Sequence, residues 1–224
     1  MNRSEINTII QEAKSIFTTN MFFLPEWAHW TASQWMEKKE KCREVINGNL
    51  GWDITDFGLK DFSRHGLVLF TLRNGNPKNR GKTYCEKIMI ADEEQETPLH
   101  FHWKKTEDII NRGGGNLVLE LFMATPDEEL SDKAVEADID GMIYMVEPGE
   151  KVILKPGQSI SLKPYQYHRF YGQKGHGKVL IGEVSSVNDD ENDNRFYEEI
   201  GRFPTIVENA EPLHLLTSDY KGFL

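Results

Sequence analysis

Cysteine is scarce: Cys42 and Cys85 are the whole complement in 224 residues. Two thiols in a chain of this size make no disulfide framework, so a reducing compartment fits, and both read as buried small apolar side chains rather than ligands. Basic charge is also short, with 26 Lys and Arg against 36 Asp and Glu and a net charge of −10. Polyphosphates and anionic membranes are held by clustered cations, so neither nucleic acid nor membrane is an expected partner. No window approaches the roughly 20 apolar residues that cross a bilayer. The opening "MNRSEINTIIQEAKSIFTTN" is interrupted by charges and lacks the apolar core of a signal peptide. A cytoplasmic protein is therefore expected. Internal repeats, low-complexity linkers and sharp composition breaks are missing as well, which leaves a single domain over 1–224 as the expectation.

What is present suits a packed fold. Hydrophobic residues make up 38% and charged residues 28%, a soluble globular balance rather than a disordered one. Ile6, Ile9, Ile10, Ala13, Ile16 and Phe17 recur at helical spacing, with Ser4 as the expected cap and Glu5 favourable to the helix dipole. A second helix is predicted over 31–47, opened by Thr31 and Gln34 at capping-box spacing and stopped by "NGN". These helices form an expected N-terminal extension over 1–48. From about residue 65 the texture changes to short apolar runs: "GLVLFTLR", "YCEKIMIA", "NLVLELFMA", "KVILKPG", "SISLKP" and "KVLIGEVSS". Short strands at this spacing predict an all-β sandwich or barrel over 65–187. A C-terminal loop and extension follow over 188–224, opening with the acidic run "NDDENDN", which reads as a solvated loop.

The stretch "HFHWKKTEDIINRGGG" at 100–115 concentrates chemistry. His100 and His102, two apart on a strand, point to one face and can share an ion. Glu107 has the opposite parity, so a turn or bulge within "WKKT" is needed to bring its carboxylate to the same side. A further candidate, His168, lies in "PGQSISLKPYQYHRFYG". Three neutral imidazoles and one carboxylate suit a divalent ion such as Mn²⁺, Fe²⁺, Co²⁺, Ni²⁺ or Zn²⁺ with open positions, and spacing does not choose among them. His65, His176 and His214 read as structural or exposed.

Residues 100–114 resemble the first cupin motif and 157–168 the second, with Glu94 standing where the first usually carries glycine. The resemblance implies an all-β cupin double-stranded barrel, or jelly roll, in which the four side chains converge. Beyond the motifs, "GWDITDFG", "GLVLFTLRNG", "EKIMIADEEQETPLHFHWKKTEDIINRGGGN" and "GEVSSVNDDENDN" are similar to D-lyxose ketol-isomerases of the cupin type. That resemblance implies interconversion of D-lyxose with D-xylulose, often D-mannose with D-fructose, on one Mn²⁺ or Co²⁺ per subunit, in a homodimer.

An aldose–ketose isomerase must move a proton between C1 and C2, which needs a base as well as an electrophile. Glu183 is the expected base, because it shares a strand face with Val179 and Ile181 and an ionised carboxylate there must face a polar cavity. Lys87 is the expected cation for a sugar oxygen or the developing enediolate. Lys105, Asp189 and Asp190 are candidates for substrate contact, and Asn116 and Glu120 for the cavity wall. Phe101 and Trp103 read as packing residues. An Fe²⁺ cupin dioxygenase and a noncatalytic sugar-binding cupin stay open as alternatives, since one fold hosts many functions. A phosphosugar isomerase fits less well, because no compact Arg/Lys cradle accompanies the motifs.

Overall fold

The short apolar runs become strands in the computed structural model, which describes residues 1–76, 81–190, 192–201 and 204–223. In chain order they are β1 (Gly51–Thr55), β2 (Leu67–Arg73), β3 (Tyr84–Ala91), β4 (His100–Phe101), β5 (Glu107–Gly114), β6 (Leu117–Met123), β7 (Val135–Ile139), β8 (Met142–Val146), β9 (Lys151–Leu154), β10 (Ser159–Leu162), β11 (Gln166–Gly172), β12 (Val179–Ser186) and β13 (Arg195–Phe196). They form two antiparallel sheets, one of eight strands ordered β1, β2, β3, β12, β5, β10, β7, β8 and one of five ordered β13, β4, β11, β6, β9. Leu69, Met89, Ile109 and Ile181 from the first sheet and Leu119 and Phe170 from the second fill the space between. This is the cupin double-stranded barrel.

β2, β3 and β12 read as near-continuous apolar runs because both of their faces are covered. Inward go Leu69, Met89 and Ile181; outward, Val68, Phe70, Ile88, Ile90 and Leu180 meet helix α1 (Arg3–Thr19) through Ile6, Ile10, Ala13 and Phe17. Each of the fully buried Ile and Phe side chains contributes about 1.5–3 kcal/mol, so packing rather than propensity fixes α1 on the sheet. Arg3 at its start is buried and bridges Glu208 and Asp219, tying the first turn to the C-terminal segment.

Three expectations change. The cap of α1 is Asn2, whose N–H donates to Glu5 at 2.8 Å, while Ser4 lies inside the first turn and donates its N–H to Asn209. The helix predicted over 31–47 is broken into α2 (Ala32–Lys38), a 3₁₀ turn at Lys39–Lys41 and α3 (Arg43–Asn47), although Thr31 and Gln34 do form the capping box. The run "EKKEK" at 37–41 has no apolar side chain to bury, so nothing holds that turn straight while Trp35 and Cys42 pack with Leu215 and Tyr220. Finally, Asn116 and Glu120 do not line the cavity: Asn116 donates to Gln173, and Glu120 accepts from Arg169 and Tyr171. Glu94 has φ 55°, the left-handed conformation that explains why glycine is usual there.

Candidate active site and metal centre

β4 and β11 lie side by side with His100 opposite His168, so two of the expected ligands are brought together by cross-strand register. His102 continues from β4, and the ligating atoms of His100, His102 and His168 lie within 4.8 Å of one another. Glu107 arrives through a bend within "WKKT", as expected. Residues 102–106 cross from the five-stranded sheet to the eight-stranded one, and Glu107 opens β5 on the facing wall. The parity mismatch is resolved by changing sheets.

The hydrogen bonds fix how the imidazoles present themselves. Nδ1 of His100 donates to the Pro98 carbonyl at 2.8 Å, that of His102 to Asp193 O at 2.6 Å, and that of His168 to Gln166 O at 3.0 Å. A carbonyl only accepts, so the ring proton sits on Nδ1 and each Nε2 keeps its lone pair. His100 is held well below the ordinary imidazole range, first by burial and then by His168 and His102. Glu107 Oε1 lies 3.3 Å from His102 Nε2 and 3.0 Å from His168 Nε2. Among the described residues, none of these three buried atoms has a hydrogen-bond partner. Lone pairs converging on a carboxylate oxygen repel unless a cation lies among them, and unsatisfied buried polar atoms are costly. The donor set of nitrogen and oxygen suits a borderline divalent ion, so the residues present fit a metal.

Next to this cluster lies an acid–base network. Glu183 on β12 stands opposite Lys87 on β3, and Ser185, two residues on along the same face, stands opposite Glu107 on β5. Lys105 Nζ lies 2.7 Å from Glu107 Oε2 and 3.1 Å from Glu183 Oε1; Lys87 Nζ lies 3.2 Å from the same Glu183 oxygen. Burial alone would raise both carboxyls, but Lys105 outweighs it and holds Glu107 well below the carboxylate range, while Lys105 and Lys87 together hold Glu183 below it. Burial would likewise lower the ammoniums, and the facing glutamates raise both above the usual lysine range. Two carboxylates and two ammoniums thus balance at neutral pH.

These groups line a narrow cavity of about 70 Å³, with Leu69, Met89, Ile109 and Phe170 among its apolar walls. Asp190 and Asn194 lie at its wall, so the acidic run is not simply solvated; Glu191 within it lies outside the described residues. Asp189, by contrast, accepts from the side chain and backbone of Asn192 and is not part of the wall, because its carboxylate closes the local turn. Lys105, the other candidate for substrate contact, is 4% exposed and lines the cavity. Phe101 is fully buried and Trp103 donates its indole N–H to Glu128, both as packing residues.

Sequence reading missed several neighbours. Asn188 Oδ1 accepts from Lys87 at 2.9 Å and from Lys105 at 3.4 Å, and Asn188 is itself held by reciprocal bonds with Asn74. Thr55, Thr97 and Phe196 also reach the cavity. Thr55 and Thr97 lie within the strings that carry the family resemblance and Phe196 outside them, but no spacing rule marks any of the three as a cavity residue.

With this geometry in hand, the comparisons with known proteins are informative. The model of the D-lyxose isomerase family matches residues 1–220. A D-lyxose/D-mannose isomerase of Serratia proteamaculans is 47% identical over 227 residues, and one of Escherichia coli O157:H7 is 44% identical over 226, each alignment covering the whole of both chains. Among solved structures, the ligand-free L-ribose isomerase of Cellulomonas parahominis superimposes with a TM-score of 0.64 over 92% of this chain and 98% of its own, at 16% identity. The L-ribose isomerase of Acinetobacter sp. DL28 in complex with L-ribose gives 0.60 over the same shares, at 15% identity. The structural likeness shows the shared fold, and the full-length sequence likeness shows more: the chain belongs to the D-lyxose isomerase family, a family of sugar isomerases.

Proposed function

We propose that this isomerase interconverts D-lyxose with D-xylulose and also D-mannose with D-fructose, using one divalent ion, Mn²⁺ before Co²⁺, held by His100, His102, Glu107 and His168. The observation that carries the metal reading is the convergence of His102 Nε2, His168 Nε2 and Glu107 Oε1, buried and without hydrogen-bond partners among the described residues. The substrate reading is supported by the relatives named D-lyxose/D-mannose isomerase. When bound, a divalent ion supplies positive charge against the sugar's carbonyl oxygen and adjacent hydroxyl.

The chain's own residues do the rest. Glu183, ionised between two ammoniums, takes the proton from C2 of the open-chain aldose and returns it to C1, while a hydroxyl proton moves from O2 to O1. Lys87 and Lys105 face the enediolate charge that exists between those two transfers. As the sugar's oxygens draw on the lysines, Glu183 loses part of the field that depresses it and becomes the stronger base. Asp190, at the wall, is the candidate for a sugar hydroxyl. The apolar remainder of the cavity and the paired state of both buried lysines leave no phosphate cradle, which favours an unphosphorylated sugar.

The proposed assembly is a homodimer, and the proposed compartment is the cytoplasm; no helix among the described residues is long and apolar enough to cross a membrane. The enzyme loaded in turn with Mn²⁺, Co²⁺, Zn²⁺ and Ni²⁺ is to be assayed against free pentoses and hexoses. Lyxose and mannose turnover that disappears on chelation and returns with Mn²⁺ is expected; turnover surviving in fully metal-stripped protein refutes the reading. In heavy water, deuterium enters C1 of the ketose when the proton held on Glu183 exchanges with solvent before its return, and its appearance there excludes a hydride shift.

A further inference from the structure

The acidic run at 188–194 folds back against the segment that carries two of the site's charged groups. We propose that Asp193 is a positioning residue that aims His102 at the divalent ion and locks the backbone of Lys104 and Lys105. The inference rests on the reading that an ion binds at this cluster.

Asp193 is 6% exposed and touches the 102–105 segment at three points. Its carboxylate accepts the N–H of Lys104 through Oδ1 and that of Lys105 through Oδ2, each at 2.9 Å. Its carbonyl accepts the Nδ1–H of His102 at 2.6 Å. Residues 102–106 are the crossover between the two sheets, where backbone N–H groups have left one ladder and not yet joined the next. Such donors must find partners when buried, and the Asp193 carboxylate supplies two acceptors at once. A buried carboxylate is costly unless bonded in this way, so the interaction is well determined on both sides.

The consequence runs to the metal centre from both directions. The carbonyl fixes the tautomer and ring orientation of His102, leaving Nε2 toward the other ligands. The carboxylate fixes the chain at Lys105, whose ammonium joins Glu107 to Glu183, and at the approach to Glu107 itself. Asp193 therefore ties the geometry of one ligand to that of the lysine that sets the charge of the base. Its own placement is held by its N–H donating to the Asp189 carbonyl at 3.0 Å.

The test uses the full chain with Asp193→Asn and Asp193→Ser. In the first, an amide donor replaces one acceptor and opposes a backbone N–H; in the second, one acceptor is lost. Co²⁺ affinity is read by competition with a chromogenic chelator, ligand geometry by the visible absorption of bound Co²⁺, and folding by the thermal midpoint of the metal-free protein. Binding weaker by about tenfold or more, an altered visible band and a fall in kcat exceeding any change in KM are expected in folded variants. Asp132→Asn, which removes the same charge from an exposed loop, is expected to match wild type. Folded variants with wild-type affinity and spectrum overturn the proposal, and so does failure of both variants to fold, which assigns Asp193 to the fold alone. Failure of the wild-type protein to bind Co²⁺ removes the metal reading itself and is seen independently of the variants.

Discussion

Glu183 is the side chain whose charge state the rest of the cavity sets. It faces Lys87 at 3.2 Å and Lys105 at 3.1 Å, and its carboxyl is depressed despite burial. Removing the carboxylate but keeping its shape separates proton transfer from metal binding, because Glu183 lies beyond the four proposed ligands. Glu183→Gln is expected to bind Mn²⁺ as wild type while kcat falls about 10²–10⁴-fold, the usual worth of a positioned general base; an unchanged kcat removes Glu183 as the base. Glu107→Gln has the opposite profile. Its neutral amide can no longer balance Lys105, and the cluster loses its one anionic ligand, so tight metal binding and turnover are expected to vanish together, as measured by isothermal titration with Mn²⁺ alongside the assay. Retained tight binding would mean that Glu107 serves the lysine and not the ion.

Among the elements, the contact between α1 and the C-terminal segment carries a titratable group away from the cavity. His214 is buried, with Nδ1 donating to the Trp30 carbonyl at 3.1 Å and Nε2 accepting from Lys14 at 3.0 Å, and its ring meets that of His29 edge-on. Burial, with Lys14 adding to it, pushes the imidazole down to about 4. The folded state therefore holds His214 neutral where the unfolded chain binds a proton, so its stabilisation is complete above the unfolded value and is lost as pH falls toward 4. Discounted for solvent near the ring, the loss by pH 5 is about 1–2 kcal/mol. His214→Gln keeps a donor and an acceptor without titrating, and urea unfolding at pH 7 and pH 5 is expected to show a smaller pH-dependent loss in the variant; equal losses would discharge His214 from this role. The same scale shows what could be read without coordinates. β3 and β12 were legible because continuous apolar runs mark strands covered on both faces, and the meeting of His100, His102, Glu107 and His168 because strand parity and motif spacing are local rules. β8 breaks that rule, since Met142–Val146 is a continuous apolar run whose side chains are largely exposed, and β11 mixes polar and aromatic residues without such a run. Asn188 and Asp193 were illegible for another reason: Asp193 meets His102 across 91 positions of sequence, and only tertiary folding brings a polar loop to a buried crossover. The crossover itself was half legible, since the parity of Glu107 demanded a break but could not say that the break changes sheets.

Taken as a whole, the molecule is well covered on one side and bare on another. Helices and the C-terminal segment shield the outer face of β1 to β3, whereas the far edge of the eight-stranded sheet is β8, with one backbone edge unpaired among the described residues. Met142, Ile143, Tyr144 and Met145 on it are 45–62% exposed, on both faces of the strand. β9, the edge of the other sheet, begins after a short turn and exposes Ile153, so the two sheets present apolar side chains along their open edges. Natural edge strands are usually blunted by charge or proline, and a bare apolar edge marks a contact. A second copy related by a twofold axis can pair β8 with itself antiparallel, burying these side chains at a self-complementary patch. Light scattering is expected to give a dimer for the wild-type chain and a monomer for the pair Ile143→Lys with Met145→Lys, which places like charges opposite each other across the axis. Neither residue lines the cavity, so the monomer is expected to keep the metal and most of its activity. A wild-type monomer, or a double variant that stays dimeric, would move the interface away from β8.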